Sequence, residues 1–100
     1  MYQCTTPTHI FKLPINLTSK ALIRLTYKQD DVVVLTKTTE DCNLDGQTVS
    51  CTLSQEETLS FDHEKKVKIQ LHVVTEEGKA LITPPYYKKV GECLAGEVLS

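Results

Sequence analysis

Three groups of side chains in this sequence have the types and spacings from which chemistry is built. Glu56 and Glu57 are adjacent carboxylates within "LSQEETLSF", residues 53–61. Asp41, Asn43, Asp45 and Gly46, in "DCNLDG", match the opening of an EF-hand calcium loop, whose alternate oxygen ligands converge around a glycine turn. His9, His63 and His72, with Cys4, Cys42, Cys51 and Cys93, are the residue types that ligate zinc or act as base and nucleophile.

Each group also has a simpler reading. Neighbouring residues on a helical turn point about 100° apart, so Glu56 and Glu57 cannot share a proton or a substrate. Ser54 three residues before Glu57 instead spells a capping box, with first-turn acids at the positive end of a short helix. The calcium pattern lacks its twelfth-position glutamate, because that position is Thr52, and strands flank it where an EF-hand needs helices. A cation held by Asp41, Asn43 and Asp45 is therefore kept only as part of an alternative. "HEKKV" starts like a zinc helix but has Val67 where the second histidine belongs. No G-x-S-x-G, Walker loop or G-x-G-x-x-G occurs, and there are only four glycines with which to build one. The expectation is no enzyme, with no catalytic, cofactor-binding or metal residue assigned.

The cysteines are widely spaced, and "MYQCTTPTHIFKLP" has no basic start followed by an apolar run. Free thiols in a chain made in a cytoplasm are expected. A type I′ turn on Asp45-Gly46 makes Cys42 and Cys51 diagonal neighbours, roughly 7–8 Å apart.

The elements that carry these residues are strands. In "ALIRLTYK", Ala21, Ile23, Leu25 and Tyr27 share one face. "QDD" turns the chain into "VVVLTKT", and "QTVSCTL" returns from the Asp45-Gly46 turn with Val49, Cys51 and Leu53 inward. "KKVKIQLHVV" alternates most cleanly and is read as a central strand with one wet face. "ALIT" and "YYKKV" follow, divided by Pro84-Pro85. Six or seven strands with no helix long enough for a parallel crossover predict an all-β, antiparallel, immunoglobulin-like sandwich of about seven strands. One helical turn near residues 54–60 carries the chain from one sheet to the other, with Leu59 and Phe61 pinning the corner. Residues 1–100 form a single domain, and the glycine-rich 91–100 segment is a loosely ordered tail.

The net charge of −2 gives little attraction to phosphate, so neither nucleic acid nor a membrane surface is an expected partner. Tyr27, Tyr86 and Tyr87 near Lys88 and Lys89 read as strand tyrosines with hydroxyls at a rim, not as a base-stacking platform. A surplus of apolar residues remains. Leu22, Val32, Val34 and Val74 fall on outward faces if "QDD" holds one turn length and on inward faces if it holds another, since a one-residue slip exchanges faces. With Tyr86 and Tyr87 they form the candidate interaction surface.

Phe11-x-Leu13-Pro14, Thr26-Tyr27-x-Gln29, Leu35-x-Lys37, Leu53-Ser54-Gln55-Glu56-Glu57-Thr58-Leu59-x-Phe61 and Val67-x-Ile69-Gln70 together resemble a family of short proteins. Those proteins are encoded in prophages of Gram-positive bacteria among virion structural genes, and the resemblance spans about residues 10–82. It implies a non-enzymatic virion structural protein of the tail, baseplate or head. Such a protein would act by protein–protein assembly with other virion subunits or with itself as a homo-oligomer, first in the bacterial host cytoplasm and then in the virion. It carries over no catalytic residue, and "TPPYYKKVGECLAGEVLS" has no counterpart in the pattern. The alternative, from the residues alone, is a small carbohydrate- or ligand-binding sandwich module stabilised by calcium.

Overall fold

A computed structural model of the chain describes residues 1–99. Among them the alternating segments form eight strands: β1 (Thr8–Lys12), β2 (Leu22–Gln29), β3 (Val32–Thr38), β4 (Asn43–Asp45), β5 (Thr48–Thr52), β6 (Val67–Val74), β7 (Ala80–Ile82) and β8 (Tyr86–Lys88). A 3-10 turn at Thr39–Asp41 and one helix, α1 (Gln55–Leu59), complete the order. All strand pairs are antiparallel and make two sheets: β1-β5-β4, and β3-β2-β6 with β7 and β8 on the far edge of β6. The fold is thus the all-β antiparallel sandwich expected. The strand added to the expected seven is β4, whose three residues are too few to show a period.

The core is the space between the inner faces. Val67, Ile69, Leu71 and Val73 of β6 and Ile23, Leu25 and Tyr27 of β2 are buried against Phe11, Val49, Cys51 and Leu53 of the smaller sheet. Each such leucine, isoleucine or phenylalanine contributes about 1.5–3 kcal/mol by leaving water. β6 is central, as its alternation predicts, because only a strand with neighbours on both sides can bury every second residue so completely. Its outer edge is shared in series: β7 pairs with His72–Val74 and β8 with Val67–Ile69. Pro84-Pro85 interrupts this edge strand, a position where a missing N–H costs no ladder bond.

Two turns differ from their predicted form. Asp30 and Asp31 are the only residues between β2 and β3, and both have positive φ, 47° and 64°, the pattern of a type I′ hairpin. The register then shifts between Tyr27 and Lys28, which pair with Leu35 and Val33, so Val34 is the extra residue of a β-bulge. Val34 is consequently half-buried and packed against the core instead of facing out, while Val33 is exposed. At the other hairpin Asp45 pairs with Thr48, so Gly46 and Gln47 make the turn, not Asp45 and Gly46. Positive φ is confined to Gly46 there, as in a type II′ turn. This register sets Leu44 beside Val49, an apolar match that pairing with Gln47 would forgo. The loop before β2 reinforces it, because Leu13 and Leu17 donate to the carbonyls of Gln47 and Gly46.

The helical turn makes the corner between sheets, from β5 to β6. Glu57 N–H donates to Ser54 Oγ (3.1 Å) and Ser54 N–H to Glu57 Oε1 (2.8 Å), the predicted capping box. Phe61 is buried as expected, but Leu59 is only half-buried, and Thr58 is the helical residue that enters the core. Its hydroxyl donates to Thr5 O (2.9 Å) and accepts from Thr5 N–H (3.1 Å), which docks the N-terminal segment on α1.

Asp31 holds a left-handed conformation that costs a non-glycine residue about 1 kcal/mol. Asp31→Gly creates the favoured Asp-Gly pair at the same turn. It is expected to raise the melting temperature by roughly 4–8 °C, as measured by circular dichroism. An unchanged or lower value would mean that the turn is not of this type.

Candidate interaction face

The outer face of the larger sheet carries the sequence surplus. Leu22 stands opposite Val74 and Arg24 opposite His72, and on the next strand Ala80 and Ile82 continue the same two rows. The result is an apolar row, Leu22–Val74–Ala80, beside a row of Arg24, His72 and Ile82. Leu22 is 66% exposed and Ile82 61%. One end of this face is walled by the 3-10 turn, where Thr39 Oγ1 accepts from Ile23 N–H (2.8 Å) and donates to Ala21 O (3.3 Å). A groove of about 520 Å³ lies between wall and sheet, lined by Leu22, Arg24, Thr39, Glu40, His72 and Val74. Arg24, Glu40 and His72 make no side-chain ion pair or hydrogen bond among the described residues. Charges of both signs are therefore available at the margin of an apolar strip.

The other predicted surface residues are dispersed. Val32 is 63% exposed but lies at the hairpin end of the sheet, away from Leu22 and Val74. Tyr86 faces the open seam between the sheets, its ring 5.6 Å from that of Phe11. Tyr87 is on the outer face, under the ammonium of Lys68. Ile82 and Val33 were not singled out in the sequence. Their short or bulged strands give no alternation long enough to assign a face.

The candidate chemical groups are taken up structurally. Asp41 accepts from Thr38 N–H (3.0 Å) and Thr38 Oγ1 (3.2 Å), and the backbone bond, aided by the hydroxyl and by Lys37, holds its carboxyl below the usual range. Asn43 and Asp45 are exposed strand residues paired with Ser50 and Thr48. No cluster of three or more histidine, cysteine, aspartate or glutamate side chains that could hold a metal ion exists among the described residues. His63 meets Glu92 at 3.3 Å, and His72 lies in the groove. His9 Nδ1 is 2.6 Å from the hydroxyl of the fully buried Tyr27. Burial lowers the histidine and raises the tyrosine, so both are neutral partners in a core hydrogen bond.

Glu57 pairs with Lys37 of β3. Burial opposes the charge on both groups, but their mutual hydrogen bond and attraction outweigh it, keeping Glu57 below and Lys37 above their ordinary values. Lys37 stands opposite Leu25, on the inward side of an edge strand, with its ammonium neutralised at the rim of the core. The carboxylate thus caps α1 and fastens it to β3.

No family model matches the sequence, and no curated protein matches it. Among solved structures it is similar to the V domain of amphioxus IgVJ-C2. The identity is 8%, over 91% of this chain and 95% of that one, with a TM-score of 0.35.

Because the folded pKa of Glu57 is depressed, its contribution is complete above the ordinary value of 4.5 and is lost as pH falls through the folded value. Glu57→Gln is expected to cost about 2 kcal/mol at pH 7. Denaturant titrations at pH 7 and below pH 4 test this, with the difference between wild type and variant shrinking in acid. A difference constant across pH would show that the carboxylate's charge is not the stabilising feature.

Proposed function

We propose that the chain is a non-enzymatic structural subunit of a phage or prophage virion, in the tail, baseplate or head. It joins other virion subunits or further copies of itself through the outer face of the larger sheet. The observation that carries this reading is the apolar strip Leu22–Val74–Ala80 with Ile82, half-buried at Val74 and exposed on either side, bordered by the unpaired Arg24, Glu40 and His72. An apolar strip with a charged margin is the anatomy of a docking surface: burial supplies affinity, and the rim supplies register. The resemblance of the residue pattern to prophage structural proteins supplies the class of partner. Assembly through the face is favoured over strand addition at β3. That edge carries an inward-pointing charge, Lys37, and a bulge at Val34, two devices that discourage edge pairing. The subunit is made in the bacterial host cytoplasm and ends in the virion.

The test is induction of a lysogen that encodes the chain, followed by mass spectrometry of the purified particles. Stoichiometric presence is expected, and absence from intact particles would overturn the reading. A calcium-dependent rise in melting temperature of an obligate monomer would favour the ligand-binding alternative instead. Within the proposal, Leu22→Glu is expected to exclude the chain from particles, or to abolish any concentration-dependent rise in its light-scattering mass. Stability should change by no more than about 0.5 kcal/mol, because the side chain is exposed. Normal incorporation of this variant would remove the face from the assembly surface.

A further inference from the structure

The four cysteines fall into two pairs by strand register. Tyr2 and Gly91 form a parallel bridge, and two residues further along each segment stand Cys4 and Cys93. The β4–β5 register, extended by one residue, sets Cys42 opposite Cys51, not diagonal to it as the predicted turn required. In both pairs each thiol shifts its neighbour, while the thiol protons go to the backbone, Cys4 Sγ donating to Glu97 O (3.3 Å) and Cys51 Sγ to Asp41 O (3.5 Å).

The two pairs have opposite surroundings. Cys51 is buried and Cys42 half-buried beside the core. Burial pushes both thiols up, Cys42 to about 12, so the reactive thiolate is scarce and shielded there. Cys4 and Cys93 are half-exposed where the two ends of the chain meet. Gln3 N–H donates to Gly91 O (2.9 Å), Gly91 N–H to Met1 O (2.7 Å), and Cys93 N–H to Gln3 Oε1 (3.0 Å). The ring of Tyr2 lies directly over Gly91, where a Cβ would collide with it, so this ring position needs glycine there. Cys93 opens a turn closed by Gly96 N–H to Cys93 O (3.0 Å), with its sulfur beside the amides of residues 95–97, and Cys4 Sγ donates to Glu97 O (3.3 Å) in the same turn. The neighbouring Cys4 and these amides hold the Cys93 thiol below its ordinary range, while the neighbouring Cys93 sulfur raises Cys4. One sulfur is thus prepared as nucleophile and its neighbour as the resolving thiol.

We propose that Cys4 and Cys93 form a dithiol site modified by small-molecule disulfides of the glutathione class, closing to a disulfide that ties the two ends of the sandwich, while Cys42 and Cys51 remain reduced. The Cys93 thiolate attacks one sulfur of the small disulfide, whose S–S bond breaks and releases one small thiolate, which takes up a proton. Cys4 then gives its proton to solvent and attacks the Cys93 sulfur, displacing the second small thiol. The two cysteines lose two electrons and two protons, and the small disulfide gains them as two thiols. In a thiol-rich cytoplasm the pair stays open, and in an oxidising medium it closes.

The experiment incubates the full chain with glutathione disulfide at neutral pH, quenches with an alkylating agent under denaturing conditions, and maps the products by peptide mass spectrometry. Wild type is expected to give a Cys4–Cys93 disulfide, with Cys42 and Cys51 both alkylated. Cys4→Ser should stop at a glutathione adduct on Cys93, and Cys93→Ser should yield no cross-link. The oxidised wild type should melt several degrees higher than the reduced protein, because the bond constrains nearly the whole unfolded chain. A cross-link appearing first at Cys42–Cys51, or stable adducts on both Cys4 and Cys93 without ring closure, would overturn the proposal. The outcome does not depend on whether the chain assembles into virions.

Discussion

The hydroxyl of Tyr27 is a polar group carried between the two sheets, and the packing around it keeps it paired. Its ring is fully buried and packs on Phe61 at 5.7 Å, while the hydroxyl reaches His9 in the opposite sheet. A single side chain of β2 therefore touches β1 and the segment leaving α1. Burying an unpaired phenol would cost about 1–3 kcal/mol, so the relative position of the sheets is constrained by polar geometry as well as by hydrophobic burial. Gln29, two residues further on, repeats the principle. Its buried amide donates to Asp62 O and Lys65 O and accepts from Asp62 N–H, fixing the connection that follows α1.

β3 is held by β2 on one side only, and its bulge and inward lysine shape it against adding a strand. Pro84-Pro85 does the corresponding work on the β7–β8 edge. The association proposed above uses instead the apolar outer face beside the 3-10 turn. Its walls are built by Thr39, whose hydroxyl replaces a ladder partner for β2.

Three of the groups that open a chemical reading of the sequence are spent on architecture. Glu57 caps α1 and binds Lys37, Asp41 caps the 3-10 turn, and His9 satisfies Tyr27. The cysteines reverse the pattern. Their spacing predicts free thiols with Cys42 and Cys51 diagonal to each other, and the fold sets the four in two pairs, with Cys42 opposite Cys51.

The sequence by itself determined the strands and the corner between sheets. Alternation with period two marks β2, β5 and β6 without reference to any distant residue, and Ser54 with Glu57 writes a helix start within four positions. Those signals are local, and local interactions need no knowledge of the partner strand. That Leu22 lies on the face opposite Ile23 and Leu25 was legible for the same reason. Only the tertiary structure decided the faces of Val33 and Val34, the one-residue shift of the β4–β5 turn and the two-residue shift in pairing that goes with it, the place of Ile82 beside Leu22 and Val74, and the pairing of the cysteines. Each of these depends on register, which is set by which apolar side chains match across strands far apart in the chain. A one-residue bulge or a two-residue slip leaves the local pattern intact while changing every neighbour.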